Sequence, residues 1–186
     1  MGMDKNEVKA VLLDPSTDWH THDLGMIFAD LEGRGSIHVW DTALKTAEPP
    51  LHTHPWSIDS TVIVGQITNT RYTVNCCAGQ DYHTAESHWA NRPGSRAGRF
   101  PIGDITDAKL IGAPPETYKA GESYHQDASE IHGSSAVDGT VTLVLQVYAG
   151  RQASRLYFRG DYKPMEMRIA TPAESAHAIG LALPLF

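Results

Sequence analysis

Cysteine is almost missing from this chain of 186 residues: it has two, Cys76 and Cys77, and they are adjacent. A disulfide between neighbours is strained and no third thiol is there to pair with. A disulfide framework is therefore excluded, and two reduced residues on opposite faces of a strand are expected. Long apolar runs are missing too, none approaching the ~20 residues of a membrane helix. Nor is there an excess of positive charge. Fifteen Lys and Arg stand against 22 Asp and Glu, a net charge of −7, which argues against nucleic acid or an anionic membrane as partner. The N-terminus lacks the basic and apolar blocks of a signal peptide. Asn6 stands where a myristoylation site at Gly2 would need Ser or Thr. A cytoplasmic protein is expected.

What is present reads as one domain over residues 1–186, long enough to bury a core, with an ordinary 41% of hydrophobic residues. Helical periodicity is scarce, and short alternating runs separated by Gly and Pro predict an antiparallel barrel or jelly roll. Residues 8–13 read as a short strand. Residues 25–31 and 36–41 read as a hairpin turning at Glu32–Gly35, with His38 a packed core or interface histidine. Residues 43–50 read as a loop. The stretch from about 79 to 115 is rich in Gly and Pro and reads as one long loop hiding a strand or two, for example around 108–111. Residues 139–148 are the strongest strand, and 155–158 one more. The tail predicts a short helix, with Thr171 as its cap and Pro172 in its first turn.

The chemistry concentrates at Leu51-His52-Thr53-His54. Histidines at i and i+2 on a strand leave from one face, and the following β-branched run closes at Gly65. Such an imidazole pair suits Zn, Fe, Ni, Cu or Mn. A second pair, His20 and His22, has polar neighbours and no closing glycine, and reads as a surface segment or strand edge. Downstream, a turn at Asp127–Ser129 leads to His132, predicted to point inward. His125 reads as a solvent-facing strand residue with general-base chemistry as the alternative. Arg71 is a candidate clamp for a substrate carboxylate.

Together these pieces resemble the cupin superfamily. Its first motif, G…H-x-H…E…G, reads here as His52-x-His54…Gly65, and its second, P-x-G-x-x-H, as Asp127-Ala-Ser129-Glu-Ile-His132. Residues 118–124 resemble the usual approach to the second motif. The resemblance spans roughly 36–150 and implies an all-β fold, a cupin double-stranded β-helix with the barrel core at about 25–160. The family's glutamate is absent, since its spacing falls on Ile58. Asp59 fits only if the strand starts with a bulge. The implied metal site is His52, His54 and His132, with Asp59 as a fourth ligand.

A three-histidine centre is similar to the cysteine dioxygenase branch of that superfamily. The implied function is a non-haem Fe(II) dioxygenase-like oxidoreductase acting on a small polar or thiol-containing molecule. Tyr148 and Gln146 on the late strand would orient substrate or O2. This chain has Val144 and Gln146 where that branch carries a serine and a histidine, which speaks against cysteine as substrate. Zn, Ni or Mn in the same site would imply an isomerase or lyase, and an empty barrel a small-ligand binder. Cupin barrels also imply a homodimer, since pairing covers an exposed sheet edge.

Overall fold

The computed structural model describes residues 2–22, 24–33, 35–45, 50–75, 80–87, 104–147, 154–160 and 167–186. Helix α1 (Lys5–Leu13) precedes strands β1 (His20–His22), β2 (Leu24–Asp30) and β3 (Gly35–Lys45). β4 (Leu51–His52), β5 (Ser57–Val64) and β6 (Gln66–Val74) carry the central hairpin, followed by β7 (Tyr82–Ser87), β8 (Thr106–Ala108) and β9 (Leu110–Gly112). Then come β10 (Glu116–Lys119), β11 (Ser123–Gln126), β12 (Ile131–Ala136), β13 (Val141–Val147), β14 (Ser154–Phe158), β15 (Arg168–Ile169) and helix α2 (Pro172–Ala182). No described helix is long and apolar enough to cross a membrane.

The strands form two antiparallel sheets, as the turn-punctuated sequence predicts. The first runs β11-β5-β13-β3-β2-β1-β15, the second β10-β6-β12-β4-β14-β7-β8. The second sheet curls almost shut, because β8 pairs with β7 while β9, one residue further along, pairs with β6. Gly65 makes the β5–β6 turn at φ 81°, and a Cβ there would lie 2.4 Å from Thr140 Oγ1. Only glycine fits that turn.

Alternation along the strands sorts side chains to two faces of the first sheet. Ile27, Ile37, Val39, Val141 and Leu143 turn outward and pack under the two helices, through Val8 and Leu12 of α1 and Ala178 and Ala182 of α2. Met26, Trp40, Val62 and Tyr124 turn inward and meet Ile67, Tyr118 and Ala136 of the second sheet. That second cluster is the floor between the sheets.

Helix α1 corrects the strand expected at residues 8–13. Asp4 caps it, accepting from Asn6 N at 2.8 Å and Glu7 N at 2.9 Å, while Glu7 Oε2 accepts from Asp4 N at 2.7 Å. This reciprocal capping box starts a helix, and the buried pair Val8 and Leu12 is spaced for a helical face. The C-terminal helix forms as expected, with Thr171 and Glu174 making a second capping box. Arg168 grips Glu174 with both guanidinium nitrogens, at 2.7 and 2.6 Å, and its hydrogen bonds hold that carboxyl down at about 2.

Two loops are also more regular than expected. β3 runs on through Lys45, and the long polar stretch contributes β7, β8 and β9. The adjacent pair Cys76 and Cys77 lies outside the described residues.

Candidate metal centre

The aim of the H-x-H histidines is set by the residue between them. Thr53 is buried and locked to β14: its N–H donates to Arg155 O at 2.9 Å, its Oγ1 accepts from Arg155 N at 2.9 Å, and its carbonyl accepts from Ser154 Oγ at 2.7 Å. With Thr53 turned to β14, His52 and His54 leave from the opposite side of the chain. His54 N donates to Ala128 O at 3.1 Å, which ties the segment to the turn before His132. His132 itself lies directly opposite His52 across the β12–β4 ladder.

The three imidazoles converge. One nitrogen from each falls within 4.8 Å of the others, and the ring centroids stand 5.0, 4.4 and 4.9 Å apart. His52 Nδ1 is 3.2 Å from Pro50 O and His132 Nδ1 is 3.2 Å from Glu130 O. A carbonyl only accepts, so both Nδ1 atoms carry the hydrogen and both Nε2 atoms keep a free lone pair. Carbonyl partners of this kind orient the histidine ligands of metal sites. The Nε2 atoms of His54 and His132 are 3.3 Å apart, close to the ~3.4 Å expected of two nitrogens held ~2.1 Å from one tetrahedral ion. The donor set fits a divalent cation.

Electrostatics keep these rings neutral, as ligation requires. Burial pushes His52 below its ordinary value, only partly opposed by its bond to Pro50. His54 is driven well below by burial and by the neighbouring His52 and His38. His132 is also driven well below, by burial first and then by His52 and His54.

Asp59 is not brought to this group. The β5–β13 ladder runs without a slip from Thr142↔Val62 to Val147↔Ser57, so the bulge that would turn Asp59 inward does not form there. Its carboxylate is exposed and accepts from His125 Nδ1 at 2.7 Å. Gln146 sits opposite Ile58 in an exposed position near the end of β13. Tyr148 lies outside the described residues. His125 is solvent-facing, as expected, and its bonds to Asp59 and Asp127 raise it despite slight desolvation. Arg71 is paired with Glu116 and Glu130 and donates to His125 O at 3.2 Å. Its Nε faces Glu130 Oε1 at 2.5 Å without hydrogen-bond alignment.

The other H-x-H behaves differently from a surface segment at one position. His20 is 3% exposed, its ring tilted against Phe28 at 5.6 Å, with Nδ1 unpartnered among the described residues. Sequence reading also missed the supporting groups. His38, whose Nε2 lies 2.7 Å from Ser36 Oγ, adds to the effects that hold His54 low. The Thr53 lock and the carbonyls of Pro50 and Glu130 carry no motif, because any residue supplies a carbonyl. No protein-family model matches this chain, and no curated protein matches it.

Proposed function

We propose that this chain is a metal-dependent enzyme of the cupin type, and that it works as a non-haem Fe(II) dioxygenase-like oxidoreductase on a small polar or thiol-containing molecule. The observation that carries this reading is the set His52, His54 and His132: three neutral imidazoles brought together, with no carboxylate in the group among the described residues. Neutral ligands leave a divalent ion its full charge. Fe(II) bound there would supply open positions for O2 beside a chelating anion. The chain's own part is to hold one nitrogen of each of the three imidazoles in one place, through the Thr53 lock and the two carbonyl partners. It also keeps protons off them by burial.

Zn, Ni or Mn suits the same donors, and affinity order alone does not choose among them. Elemental analysis of untagged protein beside His132→Ala tests the reading. Near-stoichiometric metal in the wild type, lost in the variant, is expected, with iron leading to substrate-dependent O2 uptake. Zn, Ni or Mn instead would favour an isomerase or lyase. No metal in either protein, even after anaerobic Fe(II) loading, would sink it.

A further inference from the structure

Two-residue steps along three strands build a layered interior. On β12 the inward positions run Ala136, Ser134, His132; on β6 they run Ile67, Asn69, Arg71; on β5 they run Val62, Ser60, Ile58. The first member of each series belongs to the apolar floor. The last tier holds His132, directly opposite Arg71. Between them, ~6.6 Å above the floor, lies a tier that is polar on all three strands.

That middle tier is buried and short of partners. Ser60 is 0% and Asn69 1% exposed, and Gln126, which stands opposite Ile58 on β11 and so one tier nearer the histidines, is 1% exposed. Ser134 Oγ donates to Asn69 Oδ1 at 3.2 Å, which turns the amide nitrogen of Asn69 away. Among the described residues, Asn69 Nδ2, Gln126 Nε2 and Ser60 Oγ all lack a hydrogen-bond partner. Ser60 does stand near enough to the Tyr124 phenol, which burial raises, to pull it back, but not in hydrogen-bonding alignment. Buried polar groups are nearly always satisfied, and unpaired ones ask what should be there. Both amide atoms are donors. Glu116, in register with Asn69, does not answer them, since its carboxylate is taken by Arg71 and the Tyr118 hydroxyl.

We propose that Ser60, Asn69 and Gln126 form the substrate subsite, and that it receives the oxygen atoms of a small carboxylate whose other end reaches the histidine centre. The inference rests on the metal reading above and narrows it, because donors whose neighbouring carboxylate, Glu116, is already taken by Arg71 and Tyr118 suit an oxyanion rather than a neutral thiol. A cation held by neutral ligands beside them favours the same charge.

The test is calorimetric titration of Zn(II)-loaded protein, redox-inert, with pyruvate and with cysteamine, a thiol lacking the carboxylate. Gln126→Met and Asn69→Leu remove the N–H groups while nearly keeping volume, and Gln126→Ala and Asn69→Ala serve where those fail to fold. Expected are pyruvate binding in the wild type, a loss of about tenfold for each hydrogen bond removed with metal content unchanged, and little binding of cysteamine. Equal pyruvate affinity in wild type and metal-replete variants would overturn the subsite and leave the metal centre standing. So would a preference for cysteamine. If the wild type takes up no metal, the proposed function fails separately. Titration of the metal-free protein then decides the subsite, supported if Gln126→Met weakens pyruvate binding and overturned if it does not.

Discussion

His125 and His132 are seven residues apart in one chain, on consecutive strands, and the fold treats them oppositely. His132 is 3% exposed, packed among two other imidazoles, and held well below its ordinary value. The His125 side chain is 51% exposed, sits between Asp59 at 2.7 Å and Asp127 at 3.3 Å, and is raised. Nothing intrinsic to histidine separates them. The face of the strand does: Gln126, next to His125, takes the inward position on β11, and His132 takes it on β12. A histidine with carboxylate partners in water is a cation in waiting; one packed against imidazoles and backbone carbonyls is a lone pair in waiting.

The widest separation between the two is expected in metal content. His132→Ala should abolish near-stoichiometric metal, whereas His125→Ala should leave it unchanged, both read by elemental analysis. Equal losses would mean that the contrast is not one of ligation. Next in size is the lock that aims the centre. Thr53→Val strips the acceptor from a part-buried Arg155 N–H, which should cost about 1 kcal/mol in urea unfolding and weaken metal retention during dialysis against a chelator. Loss of stability with full metal retention would show that the lock supports the sheet alone.

The pH dependence of the metal-free protein carries the same contrast with opposite signs. His52, His54 and His132 lie below their ordinary value of 6.5 in the fold, so below that pH the unfolded chain binds more protons than the native one. Their contribution to stability is present above 6.5 and is lost as pH falls toward their folded values. His125 runs the other way: its contribution is present below 6.5 and is lost as pH rises through its raised value. Urea midpoints measured between about pH 5 and pH 8 should therefore flatten at the acid end in His132→Gln. No flattening would mean that the three rings share protons freely in the fold.

Much of this was legible in the sequence, and the gaps have physical causes. The strands announced themselves through alternation and turn residues, and α2 through Thr171 and Pro172. Helix α1 was misread because Val8, Val11 and Leu12 suit either period when viewed over six residues; the deciding signal, Asp4 with Glu7, lies before the run. The candidate ligands His52, His54 and His132 were legible because i, i+2 spacing maps directly onto a strand face. Asp59 turned on a bulge, and bulges depend on the partner strand, which a linear reading does not contain. The effect of His38 on His54 and the unpartnered amides of Asn69 and Gln126 were invisible for the same reason: they arise only when two sheets close over one floor.

The smallest expected effect is the one that isolates His125 from everything else. Asp59→Asn removes the nearer of its two anionic partners while leaving the fold's interior untouched, because the Asp59 side chain is 57% exposed. The pKa of His125, read from its ring-proton shift by NMR, should drop toward 6.5, yet not below it, since Asp127 remains. The histidines of the centre should keep their shifts, and metal content should stay that of the wild type. A loss of metal in Asp59→Asn would make this carboxylate a ligand after all, reached by rearrangement of the first turns of β5. An unmoved His125 would mean that its charge is set by Asp127 alone. Retained metal together with a lowered His125 would leave the chain with two separate histidine chemistries, divided by the thickness of one sheet.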